Sequence, residues 1–149
     1  MKLQSYGLKR KIKMFFIDTN IFLEVELMNK RLEECKEFLR KIYRKEINAL
    51  TSDFVVYSCL IQLQNRTRST ERMREFMLFL ANMENLDVRI PSPHAISNAF
   101  DFMERYKLDF DDALVVSTMK SLGIEKLVSF DKDFDKVKEI QRVEPQNAF

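Results

Sequence analysis

The chain has 149 residues, 46% of them apolar and 32% charged, with 25 basic against 23 acidic side chains and a net charge of +2. That is enough apolar chain for one compact core without a disulfide or structural metal, under a balanced charged surface rather than a polycationic one. Several chemistries are excluded: the two glycines, Gly7 and Gly123, build no phosphate-binding glycine loop, the single His94 builds no multi-histidine zinc site, and Cys35 and Cys59 lack paired metal-ligand spacing.

Residues 1–12 carry Lys2, Lys9, Arg10 and Lys11 with no acid, and read as a basic N-terminal extension before a single domain over 13–149. Met14-Phe15-Phe16-Ile17 is a continuous apolar run that stops at Asp18, as expected of a strand buried on both faces of a parallel sheet. Asn20 opens a helical pattern. From Arg31 to Tyr43 the apolar residues Leu32, Cys35, Phe38, Leu39 and Ile42 recur at helical spacing. A short strand is predicted over residues 47–50. Thr51, Ser52 and Asp53 then offer caps for a helix through Val56, Cys59, Leu60 and Leu63. Another helix is predicted over 69–84, with Met73, Phe76, Met77 and Leu80 on one face. That face reads first as core and otherwise as the contact surface of a homodimer.

A third strand is predicted over 86–90, ended by Pro91 and Pro93, then a helix over 95–107. Asp109, Asp111 and Asp112 crowd the start of the next helix, where Asp109 and Asp111 read as caps or dipole partners. Gly123 stands where a helix C-cap glycine belongs. Strands follow over 126–130 and 140–143. Strands alternating with helices imply a mainly parallel sheet of about five strands, covered on both faces. The cysteines fall on apolar helix faces as inert thiols. Low cysteine content reads as a reduced, cytoplasmic chain. No apolar run approaches the ~18 residues of a membrane span, so no membrane partner is expected.

Ligands of an open parallel sheet bind beyond the carboxyl ends of its strands. Asp18 directly follows the first strand and Asp131 the fourth. Asp112 opens the helix leading back into that fourth strand, so all three can meet at one rim. Two carboxylates ~5 Å apart repel by ~3 kcal/mol at an effective dielectric of 20, and three such pairs by on the order of 10 kcal/mol. Such a cluster takes up protons or binds a hard cation, Mg²⁺ or Mn²⁺, which can activate water and stabilise charge on a phosphodiester. The bland alternative is that each acid only caps a helix. The segment from Gln62 to Arg74 holds Arg66, Arg68, Arg72 and Arg74 with only Glu71 as an acid. It reads either as a solvated connection or as an RNA-binding rim.

Three motifs, Phe16-Ile17-Asp18-Thr19-Asn20-Ile21-Phe22, Phe110-Asp111-Asp112-Ala113-Leu114 and Leu127-Val128-Ser129-Phe130-Asp131-Lys132-Asp133-Phe134, occur in this order from Met14 to Val143. Together they resemble the PIN-domain nucleases, among them the ribonuclease toxins of type II toxin–antitoxin pairs. The resemblance implies a three-layer α/β/α sandwich. It also implies Asp18, Asp112 and Asp131 as catalytic residues holding Mg²⁺ or Mn²⁺, with Thr19, Asn20 and Ser129 orienting the carboxylates and Asp133 assisting or capping. RNA is the implied substrate and an antitoxin protein the implied partner. The family usually has a glutamate in the helix after the second strand; counting from Thr51 places Ser58 there, giving a three-aspartate version of a four-acid pocket. Two functions therefore stand: a metal-dependent endoribonuclease, or a weakened or inactive PIN-like domain serving as an RNA- or protein-binding module. A receiver domain would want adjacent acids after the first strand. A haloacid-dehalogenase-like phosphatase would want Asp-x-Asp where this chain has Asp18-Thr19-Asn20.

Overall fold

A computed structural model describes residues 13–149; the basic extension expected over 1–12 lies outside the described residues. Five strands form one parallel sheet in the order β3-β2-β1-β4-β5. They are β1 (Met14–Ile17), β2 (Asn48–Ser52), β3 (Leu86–Arg89), β4 (Lys126–Val128) and β5 (Gln141–Val143). Six helices flank the sheet: α1 (Thr19–Glu26), α2 (Leu32–Tyr43), α3 (Asp53–Thr67), α4 (Thr70–Ala81), α5 (Pro93–Tyr106) and α6 (Phe110–Leu122). The chain moves outward from β1 to β3, then crosses back to β4 and β5. Right-handed crossovers in these opposite directions put α1–α4 on one face and α5–α6 on the other.

The central strand explains the continuous apolar run. Phe15, Phe16 and Ile17 have no exposed surface, because β2 and β4 flank β1 and helices cover both sides. Phe15 packs edge-on against Phe38 of α2, and Phe22 of α1 against Phe76 of α4, both with ring centroids 5.9 Å apart. Of the apolar face over Met73–Leu80, Phe76 and Leu80 are buried, Met73 packs against the core and Met77 stays 44% exposed. Both cysteines are buried, and burial pushes both thiols up.

Several element ends differ from their sequence expectations for local reasons. Helix α3 is capped by Ser52, whose hydroxyl accepts from Val55 N, while Asp53 is the first helical residue. Helix α5 starts at Pro93 rather than Ala95: Ser92 caps it and proline suits the first turn, where no N–H is needed. Helix α4 stops at Ala81 rather than continuing to 84, with Met83 turned into the core. Strand β4 ends at Val128 rather than Phe130, because the Phe130 amide bonds to the Asn20 side chain instead of continuing the ladder. Gly123 adopts φ +69° as the α6 cap.

Candidate active site

The strand order reverses between β1 and β4, so their carboxyl ends open a crevice in the top of the sheet. Asp18 stands at the end of β1 as the N-cap of α1 and is only 7% exposed. Its Oδ1 accepts from Thr19 N at 2.8 Å. Its Oδ2 accepts from the Ser129 hydroxyl at 2.6 Å and from Asn20 Nδ2 at 3.1 Å. Burial raises the Asp18 carboxyl above its ordinary value, against the opposing pull of the Ser129 and Thr19 hydrogen bonds. The backbone adds a further tie, since Asp18 N donates to Val128 O at 3.1 Å.

Ser129 is the hinge-pin of this arrangement. Its Oγ donates to Asp18 and accepts from Asn20 Nδ2 at 3.1 Å and from Asp131 N at 3.0 Å. One hydroxyl donor and both acceptor sites are thereby used. Asn20 Oδ1 accepts from Phe130 N at 3.3 Å, a second stitch from α1 to the loop after β4. Thr51, fully buried at the end of β2, donates to Ile17 O at 2.9 Å and ties the third strand end to the same rim.

Asp131 caps a short 3₁₀ turn over Lys132–Lys136, its Oδ1 accepting from Asp133 N at 2.9 Å. Asp112 lies in the first turn of α6. Burial, and then the charges of Asp111, Asp131, Asp18 and Asp109, push its carboxyl up to about 7. Asp112, Asp131 and Asp133 each offer a carboxylate oxygen, all within 4.8 Å of one another. Asp18, Asp112 and Asp131 line one cleft of about 210 Å³, with Asp18 outside the tighter oxygen cluster.

Thr19, Asn20 and Ser58 also line the cleft. Ser58 thus brings a hydroxyl, not a carboxylate, to the wall built by α3. Two polar cleft residues, Asp111 and Gln62, lie beyond the site residues that the sequence marks. Asp111 sits in the first turn of α6, as a dipole partner would, and faces the cleft as well. Its adjacency to Asp112 was the available signal, since successive helical residues are only ~100° apart. Gln62 is one turn beyond Ser58, a spacing that puts both on one helix face. Asp109 occupies the N-cap position of α6 without a side-chain capping bond. Asp53 lines a separate apolar hollow with Tyr57 and Met77.

Of the four arginines singled out, Arg66, Arg68 and Arg74 are exposed. Arg66 follows Gln62 by one turn of α3. Arg72 is instead held down by its bond to the Glu26 carbonyl. His94 is exposed near the start of α5.

The donor set suits a hard divalent cation. Every polar group facing the cleft is an oxygen or amide donor, four are carboxylates, and among the described residues no basic side chain lines it. Burial first, and neighbouring carboxylates after it, raise the carboxyls of both Asp18 and Asp112, so each takes up a proton more readily than a solvated acid.

A parallel sheet with aspartates gathered where its strand order reverses defines an α/β domain with an acidic cleft. The model of the PIN domain family matches residues 15–140, and the chain belongs to that family. Its fold is similar to that of VapC20 from Mycobacterium tuberculosis, described as a sarcin–ricin loop cleaving toxin. The TM-score is 0.72 at 20% identity, over 88% of this chain and 99% of that one. A toxin–antitoxin complex from Klebsiella pneumoniae matches with TM-score 0.66 at 17% identity, over 87% and 96%. VapBC2 from Rickettsia felis, bound to a DNA fragment from its promoter, matches with TM-score 0.68 at 15% identity, over 88% and 98%.

Proposed function

We propose that this PIN domain is a metal-dependent endoribonuclease that hydrolyses RNA phosphodiester bonds in the acidic cleft. The observation that carries this reading is the convergence of Asp18, Asp111, Asp112 and Asp131 on one accessible cleft that, among the described residues, no basic side chain lines. Asp112, Asp131 and Asp133 would hold Mg²⁺ or Mn²⁺, with Asp18 as the buried acid of the same cleft. A bound cation supplies water activation and stabilises charge on the phosphodiester. Ser129, Asn20 and Thr19 hold the Asp18 carboxylate in one orientation at the cleft wall. Asp131 is held by Ser129 through its backbone N–H. Arg66, Arg68 and Arg74 form a basic rim for the RNA backbone. The toxin–antitoxin complexes among the similar structures support an antitoxin as the protein partner.

The test is cleavage of structured and single-stranded RNA with Mn²⁺, with Mg²⁺ and with EDTA. Metal-dependent cutting is expected; equal cutting in EDTA would contradict it. Ser58 favours a second reading, a PIN-like module that binds RNA or protein with little cleavage. Tight RNA binding without cutting in any metal would select that reading.

A further inference from the structure

Arg142 of β5 lies outside all three sequence motifs and yet reaches the loop that carries two of the clustered aspartates. Its side chain is only 11% exposed. Nη1 donates to the Ser129 carbonyl at 3.0 Å. Nε and Nη2 donate to the two carboxylate oxygens of Asp135, at 2.7 and 3.1 Å. Glu144, itself paired with Arg31 at 2.9 Å, stands 3.9 Å from Nη1.

Those contacts grip both ends of the segment from Ser129 to Asp135. At the first end, Ser129 N already donates to Val143 O at 3.1 Å. With Arg142 on its carbonyl and three bonds on its hydroxyl, every hydrogen-bonding atom of Ser129 is fixed. At the other end, the fork on Asp135 closes the 3₁₀ turn. Asp131 and Asp133 lie between the two grips. Only a planar guanidinium can hold a carbonyl and a bidentate carboxylate at once; an ammonium cannot reproduce that fork.

We propose that Arg142 is the positioning residue of the acidic site: it clamps the 129–135 loop and so sets divalent-cation affinity without touching the cation. This rests on the reading of the cleft as a cation site. Outer partners that orient metal ligands typically change affinity by about 10- to 100-fold when removed.

The experiment is calorimetric titration of the intact protein with Mn²⁺ alone, without RNA, alongside urea unfolding. The variants are Arg142→Lys, Asp135→Asn and a control, Arg40→Lys, taken from the exposed Arg40–Glu37 pair of α2. Arg142→Lys should weaken Mn²⁺ binding by about 10-fold or more. Asp135→Asn, which spares the Ser129 carbonyl contact, should weaken it less, and the control should not change it. If the wild type binds Mn²⁺ and Arg142→Lys binds within twofold of it, the clamp is overturned, whatever the unfolding midpoint does. Should Arg142→Lys fail to fold, Asp135→Asn decides by the same criterion. A wild type that binds no Mn²⁺ overturns the cation-site reading itself, a result distinct from failure of the clamp.

Discussion

The Ser129 hydroxyl donates to Asp18 Oδ2 across 2.6 Å, joining residues 111 positions apart at the ends of two neighbouring parallel strands. The same oxygen accepts from Asp131 N, so one side chain sets the positions of two acids at once. Ser129→Ala removes all three bonds of this hydroxyl and leaves the buried Asp18 carboxylate without its shortest donor. Unfolding stability should fall by about 1–3 kcal/mol, and Mn²⁺ affinity should fall with it. A variant matching the wild type in both would show that the hydroxyl organises nothing.

Asp18→Asn keeps the side-chain shape while removing a charge that burial already disfavours. Stability should change by less than about 1 kcal/mol, since the lost charge-assisted bonds are offset by relief of desolvation and repulsion. Metal-dependent cleavage should drop by about a hundredfold or more, because several kcal/mol of cation-derived stabilisation depend on this acid. If Asp18 were only a helix cap, asparagine would cap about as well, and the variant would keep its stability and cut RNA at the wild-type rate.

Ser58→Glu places a carboxylate on the wall of the cleft where a hydroxyl now stands. Mn²⁺ binding should tighten and cleavage should rise. Unchanged affinity and rate would mean that residue 58 does not reach the bound cation.

The central strands were legible because burial on both faces leaves an apolar run in the sequence: Phe15–Ile17 in β1 and Leu127–Val128 in β4. The three acids at the strand and helix ends were legible for a related reason, since a carboxylate ending such a run has no place in the core. The edge was harder to read. In β3 only Leu86 is buried, so no periodicity marks where it stops. Arg142 left no signal at all: an arginine on a short edge strand reads as solvated, and its grip on Ser129 depends on β5 lying beside β4. Asp111 was legible as an acid in a first helical turn, but its facing into the cleft depends on how α6 is rotated against the sheet.

The raised carboxyl of Asp112 carries a sign for pH. Its ordinary value is 3.8 and its folded value about 7. Below about 4 both states hold the proton, and the group contributes nothing to pH dependence. Between about 4 and 7 the folded state keeps a proton that the unfolded chain has released, so stability falls as pH rises through this window and levels off above it. Asp18, also raised, acts in the same direction. Measured in EDTA, the urea midpoint of the wild type should therefore fall from pH 5 to pH 8, and that of Asp112→Asn should fall less. Equal slopes would place Asp112 in an ordinary solvated environment.

On the proposed function, the clustered aspartates make this PIN domain an RNA-cutting enzyme. Cleavage of one labelled RNA by the wild type and by Asp131→Asn, compared in Mn²⁺ at equal folded concentration, tests it most directly. The wild type should convert the RNA to discrete fragments, and Asp131→Asn should be slower by about a hundredfold or more. Equal rates from the two proteins, or no fragments from the wild type, would contradict it.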